Sequence, residues 1–214
     1  MTLSRTYSAK EVFLTVQGEG GQAGRTAVFL RFAGCNLWSG LERNRLSAIC
    51  TFCDTNFVGT DGDGGGKFRS PEAMAAHVAS MWRGRDGDPK LVVCTGGEPL
   101  MQLDRLLIDA LHEAGFEIAI ETNGTLAAPD GIDWICVSPK ALPLVARRGD
   151  ELKLVYPNPR LSPADVEGLG FRHLLLQPMD DTDAAANTAA AVAFCLDNPH
   201  WRLTLQNHKH VGIR

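Results

Sequence analysis

The chain has 214 residues, 44% of them hydrophobic and 21% charged, and its 21 basic against 25 acidic side chains give a formal net charge of −4. This length is that of one compact domain, the composition excludes a disordered chain or a fibre, and the acidic balance speaks against clamping nucleic-acid backbones, so a small-molecule partner is expected. The start, MTLSRTYSAKEVFLTV, lacks a continuous apolar core of a secretory signal, and no run approaches the roughly 18 apolar residues that span a bilayer, which predicts a cytoplasmic protein with no membrane and no nucleic acid as partner.

In chain order, Glu11 to Gln17 (EVFLTVQ) and Thr26 to Phe32 (TAVFLRF) are β-branched and apolar runs that end in glycine, the pattern of strands. Residues 34–66 hold three cysteines, little apolar periodicity and the run DGDGGG, so they form a long loop of the kind kept for function. Ser70 as N-cap and Pro71 at the first helical position open a helix through about Trp82, with Met74, Val78 and Met81 on one face. Lys90 to Thr95 (KLVVCT) follows as a buried strand, Leu103, Leu106, Leu107 and Leu111 recur at helical spacing up to Gly115, and Phe116 to Glu121 (FEIAIE) is the next strand. Further strands are expected at Asp133 to Ser138, Glu151 to Tyr156, Arg172 to Gln177 and Trp201 to Gln206, with a short helix opened by Ser162-Pro163 and a longer one from Asp183 to Leu196.

Strands alternating with helices imply parallel pairing and right-handed crossovers, in either a barrel or an open doubly wound sheet. The barrel is favoured because polar motifs follow strand after strand: TGGEP after Val93, ETNGT after Ile120, SPK after Val137 and QP after Leu176. Barrel active sites collect at that face. The helices are too few for eight repeats, so the expected fold is α/β, a partial (β/α) barrel of six or more mostly parallel strands, as one domain over 1–214. GEGGQA at Gly18–Ala23 imitates a dinucleotide fingerprint but leads into a strand, and the glycine run ending at Gly66-Lys67 lacks the spacing of a phosphate loop. His208 and His210, at alternating positions of a predicted strand, are read as surface residues.

Six cysteines without a secretory signal read as metal or redox chemistry sooner than as a disulfide framework. Cys35, Cys50 and Cys53 share the long loop, spaced Cys-x14-Cys-x2-Cys, and three thiolates on one loop can converge on zinc, copper(I) or an iron–sulfur cluster. Cys50-x-x-Cys53 alone would also serve as a zinc knuckle or a redox pair. Cys94, Cys136 and Cys195 fall inside predicted strands or a helix and are read as core residues.

Cys35…Cys50-Thr-Phe-Cys53 followed by Thr95-Gly-Gly-Glu-Pro99 resembles the radical S-adenosylmethionine (radical SAM) superfamily, whose usual cysteine spacing is CxxxCxxC and which here would carry an insertion at 36–49. A narrower resemblance covers nearly the whole chain. Glu11-Val-Phe-Leu-Thr-Val-Gln-Gly-Glu-Gly20, Ala27-Val-Phe-Leu-Arg-Phe-Ala-Gly-Cys-Asn36, Cys53-Asp-Thr55, SPK and the terminal LQNHKH are similar to the 7-carboxy-7-deazaguanine synthase family. That resemblance implies ring contraction of 6-carboxy-5,6,7,8-tetrahydropterin to 7-carboxy-7-deazaguanine with loss of ammonia, on the way to queuosine. It also implies SAM acting as a regenerated cofactor, Mg2+, a homodimer, and an electron donor such as flavodoxin or ferredoxin.

Site roles follow from the same resemblance. Cys35, Cys50 and Cys53 would hold a 4Fe-4S cluster, three ligands leaving one iron open to SAM. Phe52, Cys53 and Asp54 would flank the SAM adenosine, and Gly97, Glu98, Ser138, Pro139, Lys140 and Gln177 would complete its site, with Glu98 accepting from the SAM ammonium. Val16, Gln17 and Gly18 would bond the pterin edge, Arg31 would pair with its carboxylate through a planar fork, and Thr95 would lie beside it. Thr55 would give its hydroxyl to Mg2+, a hard cation, and Arg214 would close the site with its terminal carboxylate. Glu19, Glu121 and Asn123 are polar groups expected near the site, and Lys153, inside a predicted buried strand, calls for a partner that the sequence does not name. Two other readings remain open here: a radical SAM activase for a glycyl-radical protein, and a zinc-stabilised module without catalysis.

Overall fold

The computed structural model describes residues 5–85 and 87–214. Nine strands form one sheet in the order β3-β1-β2-β4-β5-β6-β7-β8-β9. Strand β1 (Tyr7–Val16) pairs antiparallel with both β2 (Thr26–Phe32) and the short β3 (Gly66–Phe68). From β2 onward every pairing is parallel, through β4 (Lys90–Gly96), β5 (Phe116–Thr122), β6 (Trp134–Val137), β7 (Arg148–Tyr156), β8 (Gly170–Pro178) and β9 (Trp201–Leu203). The sheet is a partial (β/α) barrel, open between β3 and β9.

Strand periodicity sorts the residues into two faces. Even-numbered positions, such as Val28, Leu30, Val92, Cys94, Ile118 and Ile120, pack in the outer core with Met74, Val78, Leu107 and Leu111 of two helices. Those helices are α1 (Pro71–Met81), whose N-cap Ser70 accepts from the Ala73 amide at 3.2 Å, and α2 (Arg105–Glu113), capped by Asp104. A second outer core, with Leu152, Leu154, Leu176 and Trp201, lies towards α3 (Ala184–Asp197), which contributes Phe194 and Cys195 to it. Odd-numbered positions turn inward. At the strand starts they are apolar, with Ala27, Leu91, Val93 and Ala119 packed together; at the C-terminal ends they are polar, with Arg31, Thr95, Glu121, Lys153 and Gln177 facing a cavity.

Register turns this rule into a site. Arg31 lies opposite Glu11 on one side and Thr95 on the other, so three strands present one polar row. The β5–β6 and β6–β7 connections carry no helix, which accounts for the low helix content the sequence predicts. Two expectations are corrected. The strand predicted to Gln206 stops at Leu203, and a one-turn helix α4 (Asn207–Val211) follows, so His208 and His210 are helical and not at alternating strand positions. Its placement comes from tertiary contact: the Asn207 amide donates to Gly18 O at 3.1 Å. Strand β1 begins at Tyr7, ahead of the expected Glu11, because Lys10 is buried in an ion pair with Asp61 that sequence periodicity scores as a break.

Candidate active site

A cavity of about 510 Å3 opens at the C-terminal ends of the strands, within the range of small-molecule sites. Its floor is ionic. Lys153 of β7, 4% exposed, donates to Glu19 at 2.5 Å and to Glu121 of β5 at 2.9 Å. Gln17 Nε2 donates to Glu121 at 2.8 Å and Gln206 Nε2 to Glu19 at 3.0 Å, which completes the set. Burial alone would discharge Lys153, yet the two carboxylates beside it hold its ammonium well above the ordinary lysine value. Burial likewise pushes Glu121 up, and the Lys153 charge with its hydrogen bond more than reverses this, so Glu121 titrates below the usual carboxylate range. Lys153 and Glu121 hold each other ionised. Beside them Arg31 Nε donates to Glu11 at 2.7 Å, fixing the guanidinium in the wall.

The cysteine loop forms the opposite side. Cys50 and Cys53 line the cavity with Phe52, Asp54 and Thr55, and behind them Trp38, Ala48 and Phe57 make a small core against which Cys35 and Cys53 pack. Trp38 and Phe57 meet edge to face at 5.6 Å. Cys35 accepts from the Leu37 amide at 3.4 Å. The Cys50 thiol donates to Cys53, which brings Cys53 down to about 6 and pushes Cys50 up; burial raises Cys35. Thiolates are the form that binds metal. Across the mouth, Lys140 Nζ lies 5.2 Å from the Phe52 ring centroid, and Lys209 of α4 bridges Asp54 at 3.0 Å and Asp180 at 2.6 Å.

The loop meets the strands at Gly96 and Gly97. Gly96 has φ +138°, which a side chain would strain, and a Cβ at Gly97 would stand 2.8 Å from Cys35 Cβ. The Glu98 amide donates to Gly34 O at 3.0 Å, so the end of β4 is stitched to the residue before the first cysteine.

Of the residues singled out from sequence, Val16, Gln17, Gly18, Arg31, Thr95 and Arg214 all stand in the cavity wall, as do Gly97, Ser138, Lys140 and Gln177. Three do not. Glu98 has no exposed surface, and its carboxylate accepts from Thr122 Oγ1 at 2.7 Å, the Asn123 amide at 2.8 Å and the Leu100 amide at 3.0 Å. It ties the end of β4 to the end of β5, directly behind the Gly96 and Gly97 backbone of the wall. Pro139 is buried beside the wall. Cys35 sits behind Gly97 and faces a shallow cleft formed by the insertion. Arg214 enters through its guanidinium, paired with Glu11 and with Asp63 at 2.5 Å, while its backbone oxygen accepts from Thr15 at 2.7 Å. Sequence reasoning missed Glu11, Asp180 and Lys209 as wall residues. Asp180 had a signal, since it follows the QP motif at a strand end; Lys209 had one in the LQNHKH segment, but α4 lacks the apolar periodicity that would have placed it.

The residues present fit an iron–sulfur cluster and SAM. Three loop thiols, Cys50 and Cys53 facing the cavity and Cys35 behind Gly97, are a donor set for an iron–sulfur cluster. Gln177 Oε1, buried at the wall without a hydrogen-bond partner, is an acceptor awaiting a donor.

Comparison with known proteins agrees with this geometry. The radical SAM superfamily model matches residues 45–149. The chain is 60% identical over 209 residues to the 7-carboxy-7-deazaguanine synthase of Caulobacter vibrioides, covering 97% of this chain and 99% of that one. To the enzyme of the same name from Bradyrhizobium diazoefficiens it is 59% identical over 210 residues, covering 98% and 100%. The crystal structure of QueE from Escherichia coli superposes with a TM-score of 0.70 at 27% identity, covering 95% of each chain. On its sequence, its partial barrel and its cysteine-lined cavity, the chain belongs to the 7-carboxy-7-deazaguanine synthase family of radical SAM proteins.

Proposed function

We propose that the chain is a carbon–nitrogen lyase that contracts the ring of 6-carboxy-5,6,7,8-tetrahydropterin to 7-carboxy-7-deazaguanine with loss of ammonia, using a 4Fe-4S cluster, SAM and Mg2+. The full-length identity of 60% to a synthase of that name carries this reading over a glycyl-radical activase and over a zinc-stabilised module. Cys35, Cys50 and Cys53 would hold the cluster. When bound, the cluster and SAM supply one-electron chemistry that removes and returns a substrate hydrogen; the protein supplies binding, orientation and exclusion of side reactions.

Arg31, fixed by Glu11, offers a cation to the pterin carboxylate, and Thr95 in the same cross-strand row sits beside it. Val16, Gln17 and Gly18 bond the pterin edge, with the Gln17 amide oriented by Glu121. Lys153, held protonated between Glu19 and Glu121, keeps a donor at Nζ on the floor. On the SAM side, Phe52 and Asp54 flank the adenosine, the Gly97 backbone and Ser138 line its path, and Lys140 and Gln177 present a cation and an unpaired acceptor. Thr55, whose hydroxyl makes only a long 3.5 Å bond to Asp54, serves Mg2+. Arg214 stays at the mouth. We extend the reading to a cytoplasmic homodimer working as a single catalytic unit over 1–214; the electron comes from a donor such as flavodoxin or ferredoxin, and a reducible thiolate-held cluster suits a reducing compartment.

The test is anaerobic turnover of reconstituted protein with the pterin, SAM, Mg2+ and a strong reductant, followed by mass spectrometry. Formation of 7-carboxy-7-deazaguanine without stoichiometric loss of SAM is expected; SAM cleavage without that product would overturn the substrate assignment.

A further inference from the structure

The insertion between Cys35 and Cys50 is not a passive spacer. Its residues Glu42–Ser47 form a 3-10 turn that aims Arg45 back at the Cys-x-x-Cys segment. Arg45 Nη1 donates to Thr51 O at 3.1 Å and to Cys53 O at 3.0 Å, gripping the backbone on either side of Phe52. Its Cζ lies over the Trp38 ring, 4.0 Å from the centroid, and Trp38 is itself buried against Phe57. The outer edge of the guanidinium is held by Glu42, through Nε at 2.7 Å and Nη2 at 2.5 Å. Arg45 is about one-quarter exposed, Glu42 about three-quarters. A planar fork set over an aromatic ring and bonded on two edges has little freedom, and its charge is permanent. The residue thus stands behind the thiols, away from the cavity, with the Thr51–Cys53 backbone between it and Phe52.

We propose that Arg45 is a positioning residue for the cluster: from the insertion it clamps the Thr51–Cys53 backbone in the conformation that presents two thiols together, and it places a positive charge behind them that favours the reduced, more negative cluster. The inference rests on the functional reading above. Net charge and polar contacts around the sulfurs are what set cluster potentials, so Arg45 and Glu42 act on the potential in opposite senses, Glu42 more weakly because water screens it.

The test compares reconstituted wild type with Arg45→Gln, Arg45→Lys and Glu42→Gln by three measurements: the cluster midpoint potential by EPR-monitored titration, iron release to a chelator, and alkylation rate of the thiols in the iron-free chain. Arg45→Gln is expected to hold iron about 10- to 100-fold more weakly, as loss of a group that orients a ligand does at other metal sites, read as faster release to the chelator, to move the midpoint negative, and to speed alkylation of the loop thiols. Glu42→Gln should move the midpoint positive. Arg45→Lys should restore the potential but not the retention, since an ammonium cannot reproduce the two-edged fork. A role confined to folding would move both midpoints the same way or not at all, and that result overturns the proposal. Should Arg45→Gln fail to fold, Glu42→Gln and Arg45→Lys decide it: an unmoved midpoint in the first together with wild-type iron release in the second overturns it. A wild-type chain that takes up no cluster defeats the functional reading itself, whereas a loaded wild type matched by all variants defeats only the role of Arg45.

Discussion

The strand floor and the cysteine loop face each other across one cavity but are built on different terms. On the floor, Lys153 answers Glu19 and Glu121, Arg31 answers Glu11, and each group stands on or beside a strand hydrogen-bonded on both sides. The loop has a three-residue core and a single 3-10 turn, and its thiols are paired with each other, with backbone groups and with no cation through a hydrogen bond. The floor is finished by the polypeptide alone and so is pre-organised for a polar ligand. The loop is finished by what it binds.

Breaking the floor therefore has the largest effect on the apo fold. Lys153→Met leaves two carboxylates facing each other in a largely buried site, and should cost about 3–5 kcal/mol in urea unfolding at neutral pH; a loss under about 1 kcal/mol would show that the carboxylates find water and that the floor is not closed. At the seam between the two regions, Gly97→Ala pushes a methyl group into the Gly34 carbonyl oxygen and against Cys35, for an expected loss of about 1–3 kcal/mol together with reduced iron incorporation. Retention of wild-type iron content would show that the loop moves freely against β4. A smaller effect is expected on the acid side. Glu121 titrates below its ordinary value of 4.5, so it contributes stability above that value which is lost as pH falls through its folded pKa. Glu121→Gln should flatten the fall in stability over this acid window, and an unchanged slope would remove Glu121 from the ionised set. Smallest of all, Thr55→Ala should leave unfolding and iron content unchanged while raising the Mg2+ concentration needed for turnover; an unaltered Mg2+ response would take Thr55 out of the metal site.

How far the sequence was legible follows the same division. Strand β2 lies on its predicted residues, and α1 opens where Ser70 and Pro71 place it, because both depend on local preferences that the chain displays over a few residues. The polar strand ends were equally visible, and they did converge on the cavity. What escaped was whatever depends on partners far apart in the chain. Lys153 meets Glu19 across 134 positions, and no local pattern encodes the pairing. For Glu98 the TGGEP motif announces a strand-end carboxylate, but only the adjacency of β4 and β5 shows which groups it meets, Thr122 and Asn123. The helix α4 is too short for periodicity and exists by virtue of its contact with Gly18. Arg45 sits in a segment whose length looked like an interruption, and only the folded turn reveals what it holds.

The order of the sheet has a consequence for how the molecule comes into being. From β5 to β9 each strand lies beside the one that precedes it in the chain, and β4 lies beside β2. A ribosome releasing this polypeptide from its amino end thus hands over the pieces in the order in which they are laid down, each new strand finding a finished edge waiting for it. The cavity is the exception, because its ionic groups come from both ends of the chain and can meet only after the last strands have arrived.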